Sequence, residues 1–156
     1  MITVEKALPR DTADVLSLLE EILRIHHAGR PDIFSDHGAK YTAEDLEKLF
    51  SDPMTPSFTV REDGAFRGYA LCRFVVSDGT PPRHAAKTLY IDDLCVLSDH
   101  RGKGLGSAMI EHLKAFAKEE NCDRVELNVW EFNLGAMKLY QRCGFSTQRR
   151  QLEIKL

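Results

Sequence analysis

Arg101-Gly102-Lys103-Gly104-Leu105-Gly106 is the stretch whose residue types and spacing most directly imply chemistry. It stands between an apolar strand-like run and a helix-like run, so several backbone N–H groups should be left unpaired at the helix start. Those donors and the helix dipole favour an anion, glycines let the backbone come close to it, and Arg101 and Lys103 add positive charge. A pyrophosphate fits that description. A plain strand-to-helix turn needs fewer glycines than stand here. A Walker loop is excluded, because Lys103 follows Gly102 with no glycine five residues earlier. A dinucleotide fingerprint drawn through Gly102 and Gly104 needs Gly or Ala at the position held by Ser107, and such a fingerprint normally opens a domain.

The apolar run that feeds this turn, Thr88 to Leu97, is interrupted by two adjacent acids, Asp92 and Asp93. Side chains alternate along a strand, so these two are expected on opposite faces, with only one able to meet a substrate. No metal is expected. Cys72, Cys95, Cys122 and Cys143 contain no close pair, and His26, His27, His37, His84, His100 and His112 show no HxxxH spacing. The four thiols read as reduced, buried residues.

The elements around these residues follow from periodicity and punctuation. Ile2 to Lys6 alternates like a strand, and Asp11 is placed to cap a helix whose stripe is Val15, Leu18, Leu19, Ile22 and Ile25, ending near Gly29. Thr42 with Asp45 resembles a capping box before a short helix carrying Leu46, Leu49 and Phe50, closed by Pro53 and Pro56. Ser57 to Arg61 and Phe66 to Val76 read as a hairpin turned at Asp63-Gly64. Ser77 to Lys87 reads as an exposed loop, of a kind that can cover a substrate. After the glycine turn, Leu105, Met109, Leu113 and Phe116 mark an amphipathic helix, and Val125, Leu127 and Val129 a strand. Leu134, Met137 and Tyr140 fit a last helix ending near Gly144, and Phe145 to Leu156 should supply a final strand or two.

Composition narrows the class. With 156 residues, 43% of them hydrophobic, the chain supports one core and one domain, spanning residues 1–156. A formal charge of −3 lacks the electropositive excess that nonspecific nucleic-acid binding needs, so a cationic or neutral partner is easier to accommodate. No apolar stretch approaches the ~20 residues of a membrane span. Met1 to Asp11 has no signal-peptide pattern, which makes cytoplasm the expected address.

Tyr90-Ile91-Asp92-Asp93-Leu94-Cys95-Val96 followed by the glycine turn resembles the acetyl-CoA-binding motif of the GCN5-related N-acetyltransferases, Arg/Gln-x-x-Gly-x-Gly/Ala. The similarity continues through Asn128-Val129-Trp130-Glu131-Phe132-Asn133, Ala136, and Leu139-Tyr140-Gln141-Arg142-Cys143-Gly144-Phe145, and so covers residues 88 to 146. Within the family, Tyr-Ile-Asp-Asp with Asn133 and Tyr140 is similar to the diamine and thialysine acetyltransferase branch.

The resemblance implies a mixed α/β acyltransferase fold, with a mostly antiparallel sheet flanked by helices, and acetyl-CoA as cosubstrate. It implies that backbone groups of Leu94, Cys95 and Val96 hold the pantetheine arm where that strand splays from the strand Val125 to Trp130. Arg101, Gly102, Lys103, Gly104, Leu105, Gly106 and Ser107 would hold the pyrophosphate. Asn133 would face the cofactor arm, or simply cap its helix. Tyr140 is the expected general acid for the departing thiolate, with a core aromatic as the bland alternative. Asp92 is the expected base, acting through a water, and Glu126 on the neighbouring strand competes for that role. His26, His27, Arg30 and Asp32 lie where an acceptor site could be built, although singly each reads as solvated surface.

The expected reaction is direct acetyl transfer to a small primary amine, polyamine or amino-acid-like. A peptide N-terminus or protein lysine is the second acceptor class. A noncatalytic CoA-binding module and a degenerate NAD site are the readings from other classes, and a homodimer is compatible with the chain.

Overall fold

Apolar periodicity builds most of the elements in the computed structural model, which describes residues 1–156. Val15, Leu18 and Leu19 are buried on helix α1 (Thr12–Gly29), and Leu46 and Phe50 on α2 (Ala43–Ser51). The capping box at α2 is formed: the Asp45 N–H donates to Thr42 Oγ1 at 3.1 Å, and the Thr42 N–H donates to the Asp45 carboxylate at 2.9 Å. Strand β1 (Ile2–Lys6) precedes α1, while β2 (Ser57–Glu62) and β3 (Ala65–Asp78) follow α2. Asp63 at φ 51° and Gly64 at φ 81° turn the β2–β3 hairpin, the paired left-handed conformations that match strand twist. The remaining elements are β4 (Ala85–Val96), α3 (Leu105–Glu119), β5 (Arg124–Leu127) and α4 (Leu134–Arg142).

The strands lie in the order β1-β2-β3-β4-β5, antiparallel throughout except for the parallel pair β4 and β5. This is the mixed, mostly antiparallel sheet flanked by helices that was expected. β3 is buried on both sides. Ala70 and Cys72 join the core beneath α3, and Tyr69 and Leu71 join the core beneath α1 and α2, which accounts for the strand's unbroken apolar run.

Four expectations are corrected. Asp11 precedes α1 without capping it: its buried carboxylate accepts the Leu8 N–H at 2.8 Å and pairs with Arg61, tying the chain entering α1 to β2. The loop expected over Ser77 to Lys87 is shorter, residues 79–84, because β3 and β4 stay paired out to Asp78 and Ala85. Backbone ladder bonds extend this ribbon beyond the core, with Val75 and Val76 left exposed. The strand expected to reach Val129 stops at Leu127, where its pairing with β4 ends. Residues 145–156 form no strand. They are held instead by side chains: Gln148 Nε2 donates to Glu126 at 3.0 Å, Glu153 pairs with Arg30 and Lys155 with Asp32. No helix is long and apolar enough to cross a membrane.

Candidate active site

A bulge in β4 organises the site. Leu71 pairs with Asp93 and Cys72 with Ile91, so Asp92 is an extra residue opposite β3. The bulge shifts the alternation of side chains. Leu89 and Ile91 belong to the core beneath α3, whereas beyond the bulge Val96 takes that side and Cys95 the other. Asp92 and Asp93 consequently reach the same space, contrary to the expectation from simple alternation. Lys40 Nζ shows this directly, lying 3.0 Å from Asp92 Oδ2 and 3.5 Å from Asp93 Oδ2.

The two carboxyls are nevertheless in different states. Burial pushes the Asp92 carboxyl up, but hydrogen bonds from Lys40 and from the Tyr41 hydroxyl at 2.8 Å outweigh it and hold it below the ordinary value. Asp93 is more deeply buried, and burial raises it despite the Lys40 charge and a hydrogen bond donated by Tyr69 at 3.2 Å. Tyr140 enters the same space from α4. Burial, with the negative charge of Asp93 behind it, pushes its hydroxyl up to about 12, so it carries its proton at neutral pH.

These groups sit in a cavity of about 620 Å³ roofed by α1 and the α1–α2 connection. Most of its wall is apolar. His26 packs on Phe34 with ring centroids 4.9 Å apart, and Phe34 meets Trp130 edge-on at 5.3 Å. Burial lowers the His26 imidazole, favouring its neutral form. Arg30 lies over the Trp130 ring at 5.9 Å and binds the Asp32 carboxylate through Nε and Nη2, at 2.9 and 2.8 Å. His26 thus joins the cavity wall, while Arg30 and Asp32 brace it from outside. His27 hydrogen-bonds the Phe34 carbonyl at 2.7 Å.

On the other side of Asp92 the sheet opens. β4 and β5 pair only from Thr88 and Arg124 to Ile91 and Leu127, so Leu94, Cys95 and Val96 keep β3 on one edge and have no strand on the other. Directly beyond, Gly102 and Gly104 adopt φ 77° and 88°, the left-handed conformation that an L side chain resists. The N–H groups from Gly102 to Ser107 find no acceptor in the rest of the chain, and helix geometry leaves the first turn of α3 without internal ones. Lys103 is exposed and makes no ion pair. Arg101 is already engaged: its Nε donates to the Val96 carbonyl at 2.9 Å and its Nη2 to Glu21 at 2.6 Å. Gly106 serves packing, since a Cβ there would meet Leu139 Cδ2 at 2.9 Å. Leu105, the first residue of α3, is buried in the core with Met109 and Leu113.

Asn133 both caps and lines. Its side chain accepts the Ala136 N–H at 3.2 Å, and it forms part of the cavity wall beside Tyr140. Glu126 is not brought to the cavity. It stands opposite Tyr90 in the β4–β5 register and accepts from Gln148. The Cys95 thiol is pushed up to about 12 by burial, which leaves it an inert neighbour. Lys40, Tyr41, Tyr69 and Phe34 were not singled out from sequence; a lysine and tyrosine ahead of a capping box carry no local signal of an acid pair far along the chain.

A model of the Acetyltransferase (GNAT) family matches residues 19–145. Glucosamine 6-phosphate N-acetyltransferase 1 of Dictyostelium discoideum is 29% identical over 122 residues, 76% of each chain. Mycothiol acetyltransferase of Frankia casuarinae is 32% identical over 132 residues, 76% of this chain and 37% of that one. Thialysine N-epsilon-acetyltransferase of Sus scrofa is 31% identical over 77 residues, 49% of this chain and 42% of that one. The chain therefore spans less than half of the last two. In structure, a mutant BH1408 protein from Bacillus halodurans superposes with TM-score 0.94 at 24% identity, covering 99% of both chains.

Proposed function

Because the chain belongs to the Acetyltransferase (GNAT) family and is an acetyl-CoA-dependent N-acetyltransferase, we propose that its acceptor is the primary amine of a small molecule with an apolar body. The observation that carries this reading is the acid pair in a cavity of about 620 Å³ beside Tyr140. That volume suits a small ligand, and its apolar wall leaves Asp92 and Asp93 as the groups that recognise a cation. A protein lysine, presented on a long flexible stem, has less use for such a wall.

The residues suit direct transfer. Unpaired amides from Gly102 to Ser107, with Lys103, bind the diphosphate of acetyl-CoA. Leu94, Cys95 and Val96 present a strand edge to its pantetheine arm, with Asn133 in the wall beside it, and the arm delivers the thioester for transfer at the opening between β4 and β5. Asp92, held ionised, anchors the ammonium. Asp93, whose carboxyl is raised, is the better matched proton acceptor, so the base role assigned from sequence to Asp92 passes to its neighbour. Tyr140 returns a proton to the departing thiolate. Arg101 positions the turn through Val96, and Glu126 takes no part.

Steady-state kinetics with a panel of amines tests the acceptor. Saturation by a free aralkyl or alkyl amine supports the reading, and turnover of peptide lysines alone refutes it. The homodimer is supported by Leu152, Ile154 and Leu156, which are exposed, and by the unpaired outer edge of β5. Light scattering at two protein concentrations checks it.

A further inference from the structure

Resting on that reading, we propose that Lys40 is a self-acetylation site, its side chain already holding the place of an acceptor amine. Lys40 is the lysine in the cavity wall, and its Nζ lies between Asp92 at 3.0 Å and Asp93 at 3.5 Å. Lysines outside the cavity are either unpaired, as Lys103 is, or pair with a single acid at the surface, as Lys48 does with Glu44 and Lys114 with Glu111. The Tyr41 ring flanks the ammonium, with its centroid 5.3 Å from Nζ. The protein has thus built, from its own chain, the contacts an incoming cationic amine would make.

The step balances without any further reagent than acetyl-CoA. Lys40 Nζ loses a proton towards Asp93 and attacks the thioester carbonyl carbon. The Nζ–C bond forms and the C–S bond breaks; Tyr140 protonates the departing thiolate and regains a proton from the second one that Nζ sheds as the amide forms. The net products are one amide, one thiol and one released proton. Modification removes the lysine charge, so the acid pair is left to a free substrate.

The full chain is incubated with acetyl-CoA and no amine, then followed by intact mass and peptide mapping. One acetyl group per chain at Lys40 is expected, at least tenfold faster than at the surface residues Lys114 and Lys118. Excess of a free amine substrate slows labelling at Lys40, and Tyr140→Phe slows it without changing the surface background. Labelling of Lys40 no faster than of surface lysines when no amine is present, in a protein that still turns over a free amine, overturns this inference and leaves the acceptor reading standing. Failure of both reactions overturns the two together.

Discussion

The donor-facing end of the site, from the last residues of β4 through the glycine turn into α3, is contiguous in the chain and made chiefly of backbone. The acceptor-facing cavity gathers side chains from Leu16 to Tyr140. The first end offers only a strand edge and unpaired amides, so its suitability for an anion lies in glycines and helix position. The second needs charges and rings at set distances, and it obtains them from α1, the α1–α2 connection, β4, residues 127–130 and α4 together. A family that keeps one donor and changes acceptors would vary the second end.

That contrast can be broken by substitution. The largest effect is expected where the ends meet: Tyr140→Phe should lower kcat by roughly 10²–10⁴ and leave CoA affinity unchanged, as read by stopped assay and calorimetry. Loss of CoA binding in that variant would show that the donor end is not separable. Next, Asp93→Asn should reduce kcat and abolish an acid limb of the rate profile displaced upward from an ordinary aspartate's, whereas Asp92→Asn should act mainly by raising the KM for the amine. Because burial raises the Tyr140 hydroxyl to about 12, its ionisation should add no alkaline limb to the rate profile near neutral pH. If the two variants behave alike, the acids share one role.

Smaller effects belong to the donor end. Gly104→Ala forces a side chain into the left-handed region, costing about 1–2 kcal/mol at the turn, and should weaken CoA binding with little change in the KM for the amine. Lys103→Ala should weaken CoA only a few-fold, less at high salt. Smallest is a stability effect. Because the Asp92 carboxyl is lower in the folded protein than its ordinary 3.8, its pairing stabilises the fold above that value and is lost as pH falls through the lower folded one. Thermal melts of Asp92→Asn should therefore show a shallower loss of stability in acid than the parent protein.

Much of the scaffold was legible in the residues. The glycine turn, the box at Thr42, the Asp63-Gly64 hairpin and the stripes of α1 and α3 depend on contacts within one element, which spacing alone encodes. The acid pair was legible as a pair but not in its orientation. Asp93 turns toward Asp92 because β4 carries an extra residue, Asp92, opposite the step from Leu71 to Cys72, and a bulge is a property of two strands. Arg101 was expected at the anion site for its charge, yet Glu21 of α1 and the Val96 carbonyl engage it, and nothing near it in the chain announces Glu21.

Periodicity failed at the ends of the sheet for a related reason. Leu152, Ile154 and Leu156 alternate as a strand does, but alternation specifies a face and not a partner; residues 145–156 leave the outer edge of β5 unpaired and are held by Gln148, Glu153 and Lys155 instead. By itself, then, the sequence determined the helices, the β2–β3 hairpin, the glycine turn and the family, since each rests on short-range spacing and backbone geometry. Only the tertiary structure decided which acid faces which, and that Lys40, Tyr41 and Trp130 enclose them, because those distances are set by strand register and by α1 crossing the sheet.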